Sequence, residues 1–130
     1  MTFSREFEIQ LSSESRLQEY LRLNGKYLAE AEQLLEKGDY AQASEKLWGA
    51  AAEVIKAVAA KKGKSLGTHR SLGEFLSELD EQKPEWALLR DFNAANSLHM
   101  NFYEDWLPPK VVLDGANAVR DMVQKLKTLL

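Results

Sequence analysis

The sequence predicts an all-α protein, a five-helix and largely up-and-down bundle, and three observations lead there. Apolar residues recur at helical spacing along nearly the whole of the 130 residues. Period-two alternation runs no further than Phe7 to Leu11, so no strand is expected. The composition is 45% apolar and 28% charged with 7 Gly and 3 Pro, that of a single globular domain over 1–130. A chain of this size buries roughly two thirds of its unfolded surface.

Helix one starts after the capping candidates Ser12 and Ser13. Its stripe is Leu17, Tyr20, Asn24, Tyr27, Ala31, Leu34 and Leu35, and Gly38 stops it. Asn24-Gly25 would signal a turn elsewhere, but the stripe runs through it in phase, so it is read as a weak spot inside one helix. Helix two begins at an Asp39 cap and ends near Lys61-Lys62-Gly63, where cations meet the carboxyl end of the macrodipole and Gly supplies the C-cap. Ala41, Ser44, Trp48, Ala52, Ile55 and Ala59 form one face; Leu47, Val54 and Val58 with Ala43, Ala50 and Ala57 extend it past half the circumference. A face that wide touches several neighbours, and its alanines permit close approach, so helix two is expected at the centre.

A loop from Gly63 to Gly67 leads to helix three, about Thr68 to Leu79, with Thr68 as cap and Leu72, Phe75, Leu76 and Leu79 inward. Pro84, at a first-turn position, opens helix four, which is expected to run to about Trp106. Pro108-Pro109 breaks the chain and seeds helix five, whose stripe is Val112, Ala116, Val119, Val123, Leu126 and Leu130. Short connections imply antiparallel neighbours.

Composition excludes much chemistry. The absence of cysteine removes disulfide scaffolds, thiolate metal centres and cysteine nucleophiles. His69 and His99 are the only histidines, which rules out a three-histidine metal site in one chain. Lys and Arg number 17 against 20 Asp and Glu, for a net charge of −3, which argues against a duplex-DNA binder held by bulk basicity. The chain carries no Gly-rich phosphate loop, serine elbow or His-Glu-x-x-His. No cofactor is expected. No signal peptide or membrane-spanning run is visible, and the expected location is the cytoplasm.

Two clusters remain. Residues 95–106 hold Asn96, His99, Asn101, Phe102, Tyr103, Glu104, Asp105 and Trp106. On the helical wheel Leu88, Phe92 and Trp106 lie within about 20° of His99, Tyr103 within about 40° and Asn96 within about 60°. His99 thus points into the core stripe. A core histidine bonded to Asn96 or Tyr103 would explain this. A polar strip of Asn96, His99 and Tyr103 on an apolar face is nevertheless expensive unless it lines a pocket or a subunit interface. Tyr103 and Trp106 are candidates to stack a base, although such rings more often fill cores.

The second cluster is Lys61, Lys62, Lys64, His69 and Arg70, around a glycine-flanked loop and a helix start that together offer free N–H groups to a phosphate. The lysines are equally the ordinary cations of a helix end and an exposed loop, whereas His69 and Arg70 beside the cap are less easily explained.

Gly38-Asp39-Tyr40, Ala43, Glu45-Lys46, Trp48-Gly49-Ala50-Ala51 and Lys56, with Leu98-His99-Met100-Asn101-Phe102-Tyr103-Glu104 and the His69-Arg70 pair, resemble the archaeal PaREP family. That family is grouped with the HEPN domains. The resemblance implies a helical bundle that commonly dimerises, within a superfamily of RNA-cleaving toxins and non-catalytic nucleotide- or RNA-binding members. It also implies a possible nucleotidyltransferase-type or other protein partner.

Many HEPN ribonucleases use an arginine followed four to six residues later by a histidine. Here the nearest upstream arginine, Arg90, is about 180° and about 13.5 Å from His99 on one helix, and Asn93 supplies no positive charge. The leading expectation is therefore a homodimeric HEPN-like protein that binds a nucleotide or RNA through Lys64, His69, Arg70, Asn96, His99, Asn101, Tyr103 and Trp106. The first alternative is a metal-independent ribonuclease with His99, His69 and Arg70 as catalytic groups, the histidines acting on the 2′-hydroxyl and the leaving oxygen. The second is a purely structural dimerisation module.

Overall fold

A computed structural model describes residues 5–130, with side chains from Ser12 onward. Five helices form an all-α bundle: α1 (Arg5–Glu36), α2 (Tyr40–Lys61), α3 (His69–Gln82), α4 (Leu88–Glu104) and α5 (Pro109–Lys127), with a 3-10 turn at Pro84–Trp86. No strand occurs among the described residues.

The cap chemistry read from the sequence forms. Asp39 accepts from the Gln42 amide at the start of α2, and Gly63 takes φ 74° just beyond its end. Thr68 accepts from the Ser71 amide while the Ser71 hydroxyl oxygen accepts from the Thr68 amide, a reciprocal capping box that fixes the start of α3. Pro109 stands at the first turn of α5.

The α2 helix is the central one. From Ala50 to Ala60 every residue except Lys56 is buried, and α1, α3, α4 and α5 all pack on it. The α1 helix runs antiparallel beside it: Glu30 meets Lys46, Tyr27 meets Gly49, and the Asn24 Nδ2 donates to the Ala50 carbonyl at 2.7 Å. The α4 helix also opposes α2, with Asn101 at Ser44 and His99 at Glu45. In the same way α5 opposes α4, with Leu98 against Gly115 and Lys125 at Asp91.

Four boundaries differ from expectation. The α1 helix begins by Arg5, and Ser13 is a buried interior residue bonded to Arg16 instead of a cap, because a hydroxyl can stay mid-helix when a neighbour satisfies it. The α3 helix continues three residues past Leu79 to Gln82. Pro84 opens only the 3-10 turn; Ala87 then adopts a left-handed conformation, φ 52°, which breaks the helical path before α4 starts at Leu88. At its other end α4 stops at Glu104, since Asp105 is also left-handed at φ 46°. Asn24-Gly25, in contrast, sits inside an unbroken α1, and Asn24 is completely buried.

No helix among the described residues is long and apolar enough to cross a membrane.

Candidate functional site

A concentration of aromatic and titratable side chains lies where α2, the start of α3 and the second half of α4 converge. Trp48, on the broad face of α2, forms its base and is nearly buried at 7% exposure. The capping box sets the first residue of α3, and that residue is His69; its ring lies parallel on Trp48, with centroids 4.5 Å apart and planes 6° from parallel. His99 comes from α4 and meets both, 5.1 Å from Trp48 and 5.0 Å from His69. Tyr103, one turn further along α4, stands edge-on to His99 at 5.5 Å. Phe92 closes the cluster behind Trp48.

The His99 Nδ1 lies 2.9 Å from the Glu45 Oε2, so a proton on Nδ1 is donated to the carboxylate. The Glu45 side chain is one-third exposed, and that of His99 one-quarter. His69 is exposed as a residue, yet one ring face is covered by Trp48. That one-sided burial is the larger of two influences lowering its pKa, the charge of His99 adds to it, and Glu45 acts in the opposite direction. His69 is consequently neutral at pH 7 and able to accept a proton, while its neighbour is oriented by a carboxylate. A pair of imidazoles this close is competent for acid–base work on one bound group.

The other residues expected at a site separate into three groups. Asn96 stands half-buried one turn before His99. Asn101 is fully buried: its Nδ2 donates to Ser44 Oγ at 3.0 Å and its Oδ1 accepts from the Trp106 and Leu107 amides at 2.9 and 2.8 Å. Asn101 thus belongs to the frame, fastening the chain as it leaves α4, because a ligand has no surface of it to touch. Trp106 was expected in line with His99, but the left-handed Asp105 turns it off the helix, and it is 56% exposed.

The basic loop also divides. Lys64 turns to the outer side of α3, 3.4 Å from Glu78 and over the Phe75 ring. The Arg70 guanidinium is held at 2.7 Å by Glu74, on a side chain 89% exposed, and makes no hydrogen bond to the histidines. Of the loop residues only His69 joins His99. Arg90 lies at the opposite end of α4 against Asp91, as the wheel required.

Sequence reasoning missed two members of the site. Glu45 and Trp48 enter the sequence reading among the residues that carry the family resemblance, and Trp48 also as part of the core face of α2, but neither as a site residue. Their common signal was position: Glu45 is one turn before Trp48, at the flank of the broad apolar face of α2. Among the described residues no group of His, Asp and Glu is disposed to hold a metal ion.

The sequence model of the archaeal PaREP1/PaREP8 family matches residues 19–123, a span that contains every member of this cluster. No curated protein and no solved structure matches the chain.

Proposed function

This chain belongs to the archaeal PaREP1/PaREP8 family, and from that premise we propose that it is a HEPN-like, cytoplasmic protein that binds a nucleotide or single-stranded RNA on the ring cluster of α2, α3 and α4. The observation that carries this reading is the exposed His69 ring stacked on Trp48 beside His99 and Tyr103. A solvent-facing aromatic platform next to hydrogen-bonding imidazoles offers a base a stacking surface and a phosphate or ribose a donor. Tyr103, at 70% exposure, extends the platform outward.

Metal-independent RNA cleavage is the second reading, favoured by one specific observation: Glu45 orients His99 at 2.9 Å while the neutral His69 lies a ring's breadth away. In that reaction one imidazole takes the 2′-hydroxyl proton and the other protonates the leaving 5′ oxygen, giving a cyclic phosphate. The exposed Met100, Tyr103 and Trp106 are the surface on which a homodimer or a protein partner would form under either reading.

One experiment separates them. The isotope-labelled protein is titrated with ATP and a short RNA in chelator while RNA integrity is followed. Amide shifts centred on Trp48, His69, His99 and Tyr103 with intact RNA support binding. Cleavage lost in His99→Ala, with the variant still folded, supports the nuclease. No shift and no cleavage removes both.

A further inference from the structure

The outer face of α4 carries almost no charge. In a chain of which 28% is charged, no Lys, Arg, Asp or Glu occurs from Phe92 to Tyr103. A water-facing helix surface ordinarily shows charged side chains, and their depletion in favour of Met and Tyr marks the centre of a protein–protein contact. Leu89, Asn93, Asn96, Met100 and Tyr103 recur at alternating spacings of four and three residues, which aligns them in one stripe along the helix. All are exposed except the half-buried Asn96. The inward sides of α4 are already occupied, Leu98 at Gly115 of α5 and Asn101 at Ser44 of α2. The stripe is the side left for another molecule.

The charges at its two ends say which molecule. Arg90 and Glu104 each follow a stripe residue by one position, so both border the stripe on the same side. The Arg90 side chain is 71% exposed and only 3.4 Å contacts tie it to Asp91, while Glu104 is exposed and makes no ion pair among the described residues. Within one chain about 21 Å of helix keeps the two apart. A second α4 laid antiparallel on the first, centred near Ser97, sets Arg90 opposite Glu104 of the partner subunit. Asn96 then meets Met100 of the partner subunit. A parallel copy would bring like charges together at both ends. The stripe therefore complements its own reverse, which is what a two-fold contact requires.

We propose that the outer stripe of α4 is a homodimer contact, in which two copies pack antiparallel about a two-fold axis near Ser97 with Arg90 paired to Glu104 of the partner subunit. That contact gives the association named above its occupant and register, and it does not depend on what the ring cluster binds. His99 precedes Met100 by one position and lies on the other side of the stripe from Arg90. Both ring clusters thus open on one flank of the dimer, and Arg90 stays away from the histidines of either copy. One helix pair buries less than the about 800 Å² per partner of a tight complex, so micromolar association is expected.

The test is analytical ultracentrifugation of the full chain over a micromolar to millimolar concentration series. Arg90→Glu and Glu104→Arg each turn two attractions into two repulsions, and each should weaken the dimer about tenfold or more. The double exchange should restore it, because the pair re-forms with its signs reversed. A purely structural role for either residue would not produce that rescue. Circular dichroism and urea midpoints confirm that the variants fold. A chain that stays monomeric throughout overturns the proposal, as does a dimer indifferent to both single exchanges or one that the double exchange fails to restore. Should Arg90→Glu not fold beside Asp91, Met100→Glu in the exposed stripe decides: it should abolish the dimer, and a dimer that persists overturns the contact. Nucleotide titration of the same samples is read separately, so that binding by a monomer leaves the ring-cluster reading standing while the dimer falls.

Discussion

His69 shows how far a single side chain is governed by its neighbours. Its ring loses water on the Trp48 side and faces the charge of His99, and both disfavour the imidazolium, while Glu45 partly restores it. The folded protein therefore holds this proton less readily than the unfolded chain, whose histidine titrates near pH 6.5. The sign follows: between the two midpoints the unfolded state carries more protons, so this group leaves stability untouched above about pH 6.5 and reduces it as pH falls toward the folded midpoint. Ring-proton titration by NMR is expected to give His69 a midpoint below that of a free imidazole. Glu45→Gln should move it lower still, and an upward movement would refute the arrangement of the three groups. Asn101 makes the complementary point. It lies two residues from His99, yet its amide oxygen is engaged in holding the exit of α4, which is what places the exposed Trp106.

At the scale of the element, the glycines of two helices have opposite meanings. Gly25 is exposed within α1 and has nothing within 4 Å of the position of a Cβ. Gly115 is buried in α5, where a Cβ would lie 3.0 Å from the Leu98 side chain that passes over it. Gly25→Ala is accordingly expected to stabilise the protein by about 0.5–1 kcal/mol, because the helix loses the entropy cost of glycine and meets no obstacle. Gly115→Ala should destabilise it by about 1–3 kcal/mol, since Leu98 must give way in the tight contact between α4 and α5. Urea unfolding of the two variants checks both signs; equal effects would mean that the close approach of α4 and α5 is not as tight as described. The ends of α4 follow the same logic. Backbone turns at Ala87 and Asp105, neither of them glycine, set its length more sharply than its apolar stripe does.

For the whole molecule, a net charge of −3 means that any hold on RNA is local. The cations that share a cleft with Trp48 are few and already engaged, Lys46 with Glu30 at 2.6 Å and Lys56 with Glu53. One or two such contacts to a single strand predict a slope of log affinity against log salt between about −0.7 and −1.4. Fluorescence titration of a short RNA over a salt series measures it, and a slope steeper than about −3 would show that a broad basic face is engaged instead of this site.

The fold was legible because its signals are local and periodic. The α2 stripe is wide because the helix is surrounded, and Asp39, Thr68 and Pro109 announce their caps whatever the rest of the chain does. The same signals brought out His69 and His99 as unusual, but not what joins them. That Trp48 would lie flat under His69, that Glu45 would reach His99 across 54 residues of sequence, and that Arg70 and Lys64 would turn away to Glu74 and Glu78 depended on how α3 and α4 settle on α2. Periodicity determines which face of a helix is buried; only packing between helices decides which side chains meet at its edge, because those meetings depend on axial offset and crossing geometry that no single helix encodes.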